Sequence, residues 1–198
     1  MHYIISIFLA LTFLTGCGAP RYSDFFLYRD DGSSKPKIVL LPVQGEPTCR
    51  EGQIENAIIA NARERGELFF YTQEEVQTVL TRYSISMEDE LSIISRYFCP
   101  ADYVVEATLI ADMCVNAEHL EIPVIRKNPQ EHMVRLRLQI MDIRSGNPKM
   151  VLLEVIEERE LIITREGSID RPSIYALIAE KAAARIEDRV LLCQQSLP

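Results

Sequence analysis

Tryptophan is absent from the 198 residues, and the eight glycines are scattered, without the Gly-x-x-x-x-Gly-Lys pattern of a phosphate-binding loop. Basic residues are also few: 21 Lys and Arg stand against 29 Asp and Glu, so the formal net charge is −8. A chain of this charge is a poor ligand for nucleic acids or for anionic lipid head groups. Beyond residue 17, no hydrophobic stretch is long enough to cross a bilayer as a helix. These absences argue against a nucleotide-loop enzyme, a nucleic-acid binder and a protein with several membrane spans.

The first 17 residues are the most informative stretch of the chain. Residues 4–13 are apolar apart from Ser6 and Thr12, and a run of about ten such residues suits a secretory signal peptide but not a membrane span, which needs about 20. The run ends in LTGC at residues 14–17. This ending resembles the lipobox of bacterial lipoproteins, in which the chain is cut before the cysteine and the thiol is acylated. Residues 1–3 contain no Lys or Arg, whereas signal peptides usually begin with a positively charged region. The alternative is therefore an ordinary secretory signal followed by a chance cysteine.

The lipobox resemblance implies an organisation for the whole chain. Residues 1–16 are then the signal peptide, and Cys17 carries the lipid, palmitate included, at the start of a tether over residues 17–37. Residues 38–198 form a single domain of ordinary size for one hydrophobic core. Because Gly18 stands where bacterial lipoproteins of the inner membrane carry Asp, we expect an outer-membrane anchor with the domain in the periplasm.

Hydrophobic periodicity predicts an α/β fold for this domain. Strands are predicted over 38–42, 68–71, 102–111, 133–143 and 149–163, and helices over 51–65, 72–83, 86–97 and 173–193. The order β-α-β-α-α-β-β-β-α interleaves helices and strands early and then closes a hairpin, which indicates a mixed five-stranded sheet with helices packed on it. Residues 113–131 are predicted to be irregular because two prolines interrupt them.

Local signals support these assignments. Thr72 and Glu75 have the spacing of a capping box at a helix start, and Ser86 with Asp89 loosely repeats it. The fourth strand alternates and buries one set of apolar side chains: Val134, Leu136, Leu138 and Ile140. The last helix is predicted to bury one side, formed by Ile174, Leu177, Ile178, Ala182, Arg185, Ile186, Val190 and Leu191.

Four short segments occur in an order that carries a second resemblance. They are KIVLLP at residues 37–42, GELF at 66–69, ADYVV at 101–105 and DIRSG at 142–146. Together they resemble the periplasmic domain shared by the curli secretion-channel subunit and by lipoproteins that activate peptidoglycan synthases, over residues 36–193. The resemblance implies an α/β module that acts through protein partners. Residues 113–131 lack the alternation that membrane-crossing hairpins require, so the module is predicted without the pore.

No pattern of a catalytic or metal site stands out. The sequence contains no Gly-x-Ser-x-Gly elbow. His119 and His132 are flanked by Glu118, Glu121 and Glu131. The sequence of the loop around them does not indicate the ligand geometry that a metal site needs, so we expect two solvated surface histidines.

Glu157, Glu158 and Glu160, with Arg159 between them, could pair carboxylates for catalysis, but a charged strand end that discourages edge aggregation is the simpler interpretation. We therefore expect no catalytic residue, no cofactor and no metal. The resulting hypothesis is a non-enzymatic, lipid-anchored envelope protein that binds envelope proteins or copies of itself. One alternative is a ring-forming subunit of an envelope secretion apparatus. Another is an envelope hydrolase or sugar-binding protein, which would need a cleft with perturbed carboxylates.

The cysteines beyond Cys17 are Cys49, Cys99, Cys114 and Cys193, and in an exported chain four thiols can form disulfides in three ways. Cys99 and Cys114 flank the third predicted strand, whose length of about 33 Å far exceeds the distance of about 4.4–6.8 Å between bonded Cα atoms. If the first and third strands are parallel, Cys49 and Cys114 share one end of the sheet, and the last helix brings Cys193 to the end that holds Cys99. The prediction is therefore Cys49–Cys114 and Cys99–Cys193. The alternative is four reduced cysteines that act as small apolar residues.

Overall fold

The computed structural model describes residues 27–29, 31–45, 51–116, 130–162 and 171–195. The signal segment with Cys17, and also Cys49 and His119, lie outside these residues. The chain divides into two compact units, Met1–Lys35 and Pro36–Pro198. The second unit contains the sheet and its helices.

The first unit contains a tight turn within the predicted tether. Tyr28 forms an isolated antiparallel bridge with Ser34, and the amide of Lys35 donates to the carbonyl of Leu27 at 2.8 Å. Gly32 lies in this turn with a φ of +80°, a conformation that glycine adopts without the steric cost of a Cβ atom. The segment predicted as a tether thus includes a short hydrogen-bonded turn.

The second unit is built on one sheet. In chain order its elements are β1 Lys37–Leu40, α1 Glu51–Arg65, β2 Phe69–Phe70, α2 Gln73–Arg82, α3 Leu91–Ile94 with a 3₁₀ turn over Ser95–Tyr97, β3 Tyr103–Asn116, β4 Gln130–Asp142, β5 Lys149–Ile162 and α4 Arg171–Gln195. The strands lie side by side in the order β2-β1-β3-β4-β5. β1 is parallel to β2 and β3, whereas β4 is antiparallel to both β3 and β5. The predicted mixed five-stranded sheet with packed helices is confirmed.

The two faces of the sheet are covered to different extents. On the first face, α1 and α4 pack over the main core, in which Ile58, Leu138 and Ile186 are fully buried. On the second face, α2 and α3 cover a smaller cluster that includes Val39 of β1. Met141 is the one buried β4 residue in this second cluster. The described helices therefore leave the rest of the second face of β3, β4 and β5 uncovered.

β3 and β4 are both longer than the sequence predicts. Their pairing runs from Tyr103 opposite Asp142 to Asn116 opposite Gln130. Each additional pair of residues satisfies backbone donors and acceptors that would otherwise need other partners. Both strands therefore continue into the segment that was expected to be irregular.

The two predicted helix starts have different outcomes. α2 begins as predicted, with the capping box of Thr72 and Glu75. α3 does not, because Ser86 and Asp89 form a turn in which the amide of Ser86 donates to Oδ2 of Asp89 at 3.3 Å. Side-chain bonds of this kind compete with helical backbone bonds, and the helix begins only at Leu91.

The buried side of α4 differs in part from the prediction. Leu177 and Arg185 are exposed, whereas Tyr175, Ala179 and Ala183 are buried in their place. α4 packs against α1 as well as against β4 and β5, so it buries a wider face than a single stripe. Alanines on this face allow a close approach of the two helices.

Two segments of the second resemblance have structural roles. The amide of Lys37 in β1 donates to Oδ2 of Asp102 at 2.8 Å, and the amide of Asp102 donates to the carbonyl of Lys37 at 2.9 Å. This reciprocal pair joins β1 to the start of β3. In the turn between β4 and β5, the guanidinium of Arg144 donates to both carboxylate oxygens of Asp142, at 3.0 and 2.6 Å. Gly146 completes the turn with a φ of +76°.

We expect Arg144→Gln to weaken the fold most at neutral pH. Burial alone would raise the pKa of Asp142, but the hydrogen bonds from Arg144 outweigh it and hold the pKa below the ordinary value of 3.8. A lowered carboxyl pKa stabilises the folded state above that value, and this stability is lost as the pH falls through the folded-state pKa. In urea unfolding followed by circular dichroism, the variant should lose about 1–2 kcal/mol near pH 7 and much less near pH 2.

The matched control for this prediction is Arg82→Gln, because Arg82 is exposed in the last turn of α2. A surface change of this kind should alter stability by no more than about 0.5 kcal/mol at either pH. An equal loss of stability by Arg144→Gln at neutral and acid pH would contradict the role given to the Asp142 carboxylate.

Candidate functional site

The described cysteines occupy three separate positions. Cys99 precedes β3, is exposed, and lines a small apolar pocket with Tyr71 on the second face. Cys114 is exposed in β3, and Cys193 of α4 packs against the core of the first face. The parallel pairing of β1 and β3, which the disulfide argument assumed, is confirmed. Cys49 lies outside the described residues, so its pairing with Cys114 stays a prediction. Cys99 and Cys193 lie on opposite faces of the sheet, with no disulfide between them in the described part of the chain.

His132 is not a solvated surface histidine, which corrects the expectation from the sequence. Its side chain is 2% exposed, and its Nε2–H donates to Oδ1 of Asp112 at 2.5 Å. The hydroxyl of Tyr175 donates to Oδ2 of the same carboxylate. These three residues, the Asp112 cluster, join β3, β4 and α4 on the first face. No local sequence signal relates them, because the strand register and the packing of α4 bring them together.

Cys114 is the cross-strand neighbour of His132, which is the relation that a cysteine nucleophile and its base could have. Activation of a thiol by histidine needs hydrogen-bond contact between the two groups. Among the described residues, Nδ1 of His132 is buried without a hydrogen-bond partner, and Nε2 is occupied by Asp112. The cluster therefore provides cross-strand and strand–helix contacts and no activating contact to the thiol.

The glutamates near the end of β5 are distributed over both faces of the sheet. Glu157 lies on the second face, where hydrogen bonds from Arg159 and Arg135 lower the pKa of its carboxyl. Glu158 lies on the first face and pairs with Lys181 of α4. Neighbouring residues of a strand point to opposite faces, so Glu157 and Glu158 do not form a close carboxylate pair.

The uncovered part of the second face is rich in exposed apolar side chains. We call it the open face. It is defined by Ile110 and Met113 of β3, by Arg135, Arg137 and Gln139 of β4, and by Met150, Leu153 and Val155 of β5. The five apolar side chains are 45–62% exposed. Several exposed apolar side chains on one face of a sheet, with polar residues beside them, are typical of an interaction site.

Charged side chains of β4 cross the open face between these apolar residues. Arg137 lies opposite Val155, and Arg135 lies opposite and pairs with Glu157. Arg159 pairs with the same glutamate from along β5. Arginine and methionine beside aliphatic side chains match the composition that distinguishes protein interfaces from other surfaces.

At one end of the open face, the loop before α3 forms a groove with the sheet. The groove has a volume of about 470 Å³, with Glu106 and Arg137 on its floor and residues 87–92 along its wall. Nε2 of Gln44 donates to the carbonyl of Met87 at 2.8 Å. This bond holds the wall against the segment that follows β1.

Glu106 is the buried carboxyl group of this groove. Its side chain is 8% exposed, and burial raises its pKa above the ordinary value of 4.5, with Arg137 opposing the shift. In the described part of the chain, Glu106 makes no hydrogen bond or ion pair. A carboxyl group that is removed from water without such compensation is costly to ionise, which explains the direction of the shift.

Two further kinds of site are not found in the described part of the chain. No helix there has the length and apolar character needed to cross a membrane. Within the same residues, no group of three or more His, Cys, Asp or Glu side chains could hold a metal ion.

Solved structures with a similar fold come from several bacteria. The 1.65 Å structure of the hypothetical protein CT253 from Chlamydia trachomatis matches with a TM-score of 0.60 and 15% identity, over 79% of this chain and 98% of that one. Protein XCC0632 from Xanthomonas campestris matches with a TM-score of 0.53 and 5% identity, over 81% and 88%. Lipoprotein GNA1162 from Neisseria meningitidis gives a TM-score of 0.49 and 13% identity, over 77% and 99%. At these identities the first two matches support the fold alone.

Sequence comparison identifies a family model that matches most of the chain. No curated protein matches the chain. The family model of DUF7499, a family of unknown function, matches residues 24–173. This match spans well over half of the sequence and includes Glu106 and the whole open face. The chain therefore belongs to the DUF7499 family.

Proposed function

We propose that this protein is a lipid-anchored envelope protein whose domain is a non-enzymatic interaction module on the periplasmic side of the outer membrane. The observation that carries the proposal is the open face, where Leu153 and Val155 are 62% and 51% exposed in the interior of a long strand. Burial of such side chains against a partner gains about 25 cal/mol for each Å² of apolar surface removed from water.

The segment LTGC at residues 14–17 supports the lipid anchor. Stable attachment to a membrane takes more than one acyl chain, and a triacylated Cys17 supplies them. Attachment confines the domain to one surface and so raises its effective concentration toward other proteins of that surface. Contacts of moderate affinity are then sufficient for function.

Charge indicates the chemistry of the partner. On the open face Arg135 and Arg159 pair with Glu157, whereas four carboxyl groups and Arg137 line the groove at its end, and the whole chain has a formal net charge of −8. Complementary charge speeds association and selects partners. The occupant that we propose for the open face is therefore another envelope protein with a basic surface.

Cross-linking in intact cells tests this proposal. Leu153→Lys should reduce the cross-linked complex at least about fivefold, because the new charge is unfavourable both against apolar surface and against a basic partner. Leu177→Lys is the matched control, since Leu177 is an exposed leucine on α4. Equal cross-linking by the two variants would contradict the role of the open face.

A ring-forming subunit of an envelope secretion apparatus is the second candidate, and the position of β5 favours it. β5 is the last strand in the sheet order and has 14 residues. The outer edge of such a strand is a template for pairing with another chain. Light scattering on the purified protein separates the candidates, because a ring gives a fixed multimer and the first proposal does not require one.

A further inference from the structure

We infer that the groove containing Glu106 receives a cationic side chain, of lysine or arginine, from the partner polypeptide. The inference rests on the proposed function, because it names the group that a partner places beside the open face. It does not depend on the identity of that partner.

The position of Glu106 is the main support for a ligand at this place. The side chain is more than nine-tenths buried, lines the groove, and has no hydrogen bond or ion pair in the described part of the chain. A neutral carboxylic acid or a polar amide would be easier to bury in the free protein than an ionised carboxyl. An incoming ammonium or guanidinium group would replace the water that the carboxylate has lost, by a charge-assisted hydrogen bond.

The charges around the groove favour a cation over an anion. Glu88, Asp89 and Glu90 are exposed along the wall, and with Glu106 they give four carboxyl groups among the described lining residues, against the one guanidinium of Arg137. An anion at Arg137 would lie in the same groove as these carboxylates and be repelled by them. A cation would be attracted to the rim and then to the floor, since like-signed charges in a cleft concentrate the field.

The apolar lining of the groove suits the stem of a long basic side chain. Met87, Met141 and Met150 line it together with the acidic residues. Methionine adapts its shape to the group that it contacts, and lysine or arginine buries its methylene groups on apolar surface while the charged end reaches a polar partner. The described carboxylates do not form a cluster that could hold a metal ion, so a polypeptide cation is the better occupant.

Titration calorimetry on the full-length protein tests the inference directly. The probe is acetylated, amidated tetralysine, and the matching tetraglutamate peptide serves as the anionic comparison. We expect tetralysine to bind, tetraglutamate not to bind, and Glu106→Gln to weaken tetralysine binding at least about fivefold. Glu64→Gln, which removes an exposed carboxylate from α1, should leave the affinity within about twofold.

A second variant has the opposite expected effect. Arg137→Gln removes the one positive charge among the described residues that line the groove, so tetralysine should bind about threefold more tightly or better. If Glu106→Gln fails to fold, as judged by circular dichroism, this variant decides the question alone. Unchanged or weaker binding by Arg137→Gln would then overturn the inference.

The outcomes distinguish this inference from the proposed function. If tetralysine does not bind, or binds equally to Glu106→Gln, the cation site is wrong, while the cross-linking result at Leu153 still decides the proposed function. If tetralysine binds through Glu106 but Leu153→Lys leaves cross-linking intact, the open face is wrong as the interaction surface and the groove stands.

Discussion

Replacement of Cys17 by serine should abolish the incorporation of an alkyne fatty acid into the protein. In the lipobox that residues 14–17 resemble, the cysteine sulfur is the atom that accepts the lipid, and the chain is cut directly before this residue. The thiolate is a far stronger nucleophile than a serine hydroxyl. The variant should therefore remain uncut or become a soluble periplasmic form. Metabolic labelling followed by membrane fractionation measures both effects.

Cys99→Ser is the matched control for this labelling experiment. Cys99 is an exposed cysteine before β3, so it would be available to any acylation that is not directed by the lipobox. The control should keep its label and its membrane attachment. Label retained on Cys17→Ser, in particular together with loss of label from Cys99→Ser, would contradict the anchor at Cys17.

The fold was largely predictable because short-range patterns determine it. The alternation of Leu136 and Leu138 with Arg135 and Arg137 identified both faces of β4, and the structure confirms it. The lengths of β3 and β4 were not predictable in the same way. Their extent depends on how far two strands stay in register, and no pattern within a single strand reports this.

The candidate site was harder to predict from the sequence than the fold. Glu106 interrupts the apolar stretch YVVEATLI at residues 103–110, and a charged residue inside an otherwise buried strand is a signal that could have identified it. His132 gave no such signal, since Asp112, which binds both His132 and Tyr175, lies 20 residues from the first and 63 residues from the second along the chain. The register of β3 with β4 and the packing of α4 set these contacts, and neither is visible in a local sequence pattern.

Asp112→Ala should destabilise the protein by about 3 kcal/mol, a large fraction of the roughly 5–15 kcal/mol that typically stabilises a domain. Oδ1 and Oδ2 of Asp112 accept the Nε2–H of His132 and the hydroxyl of Tyr175, and both donors belong to side chains that are at least 97% buried. Removal of the carboxylate leaves both buried donors without this acceptor. The loss of stability comes from leaving two buried polar groups without an acceptor. This desolvation penalty is larger than the net stabilisation that the two hydrogen bonds provide.

Urea unfolding followed by far-ultraviolet circular dichroism measures this loss, since the chain has no tryptophan to serve as a fluorescent probe. Asp112→Asn keeps the volume and one carbonyl acceptor, so it should lose only about half as much stability as the alanine variant. Asp188→Ala is the control, because Asp188 is exposed on α4, and it should change stability by no more than about 0.5 kcal/mol. If Asp112→Ala were as stable as Asp188→Ala, the Asp112 cluster would not be part of what holds α4 to the sheet.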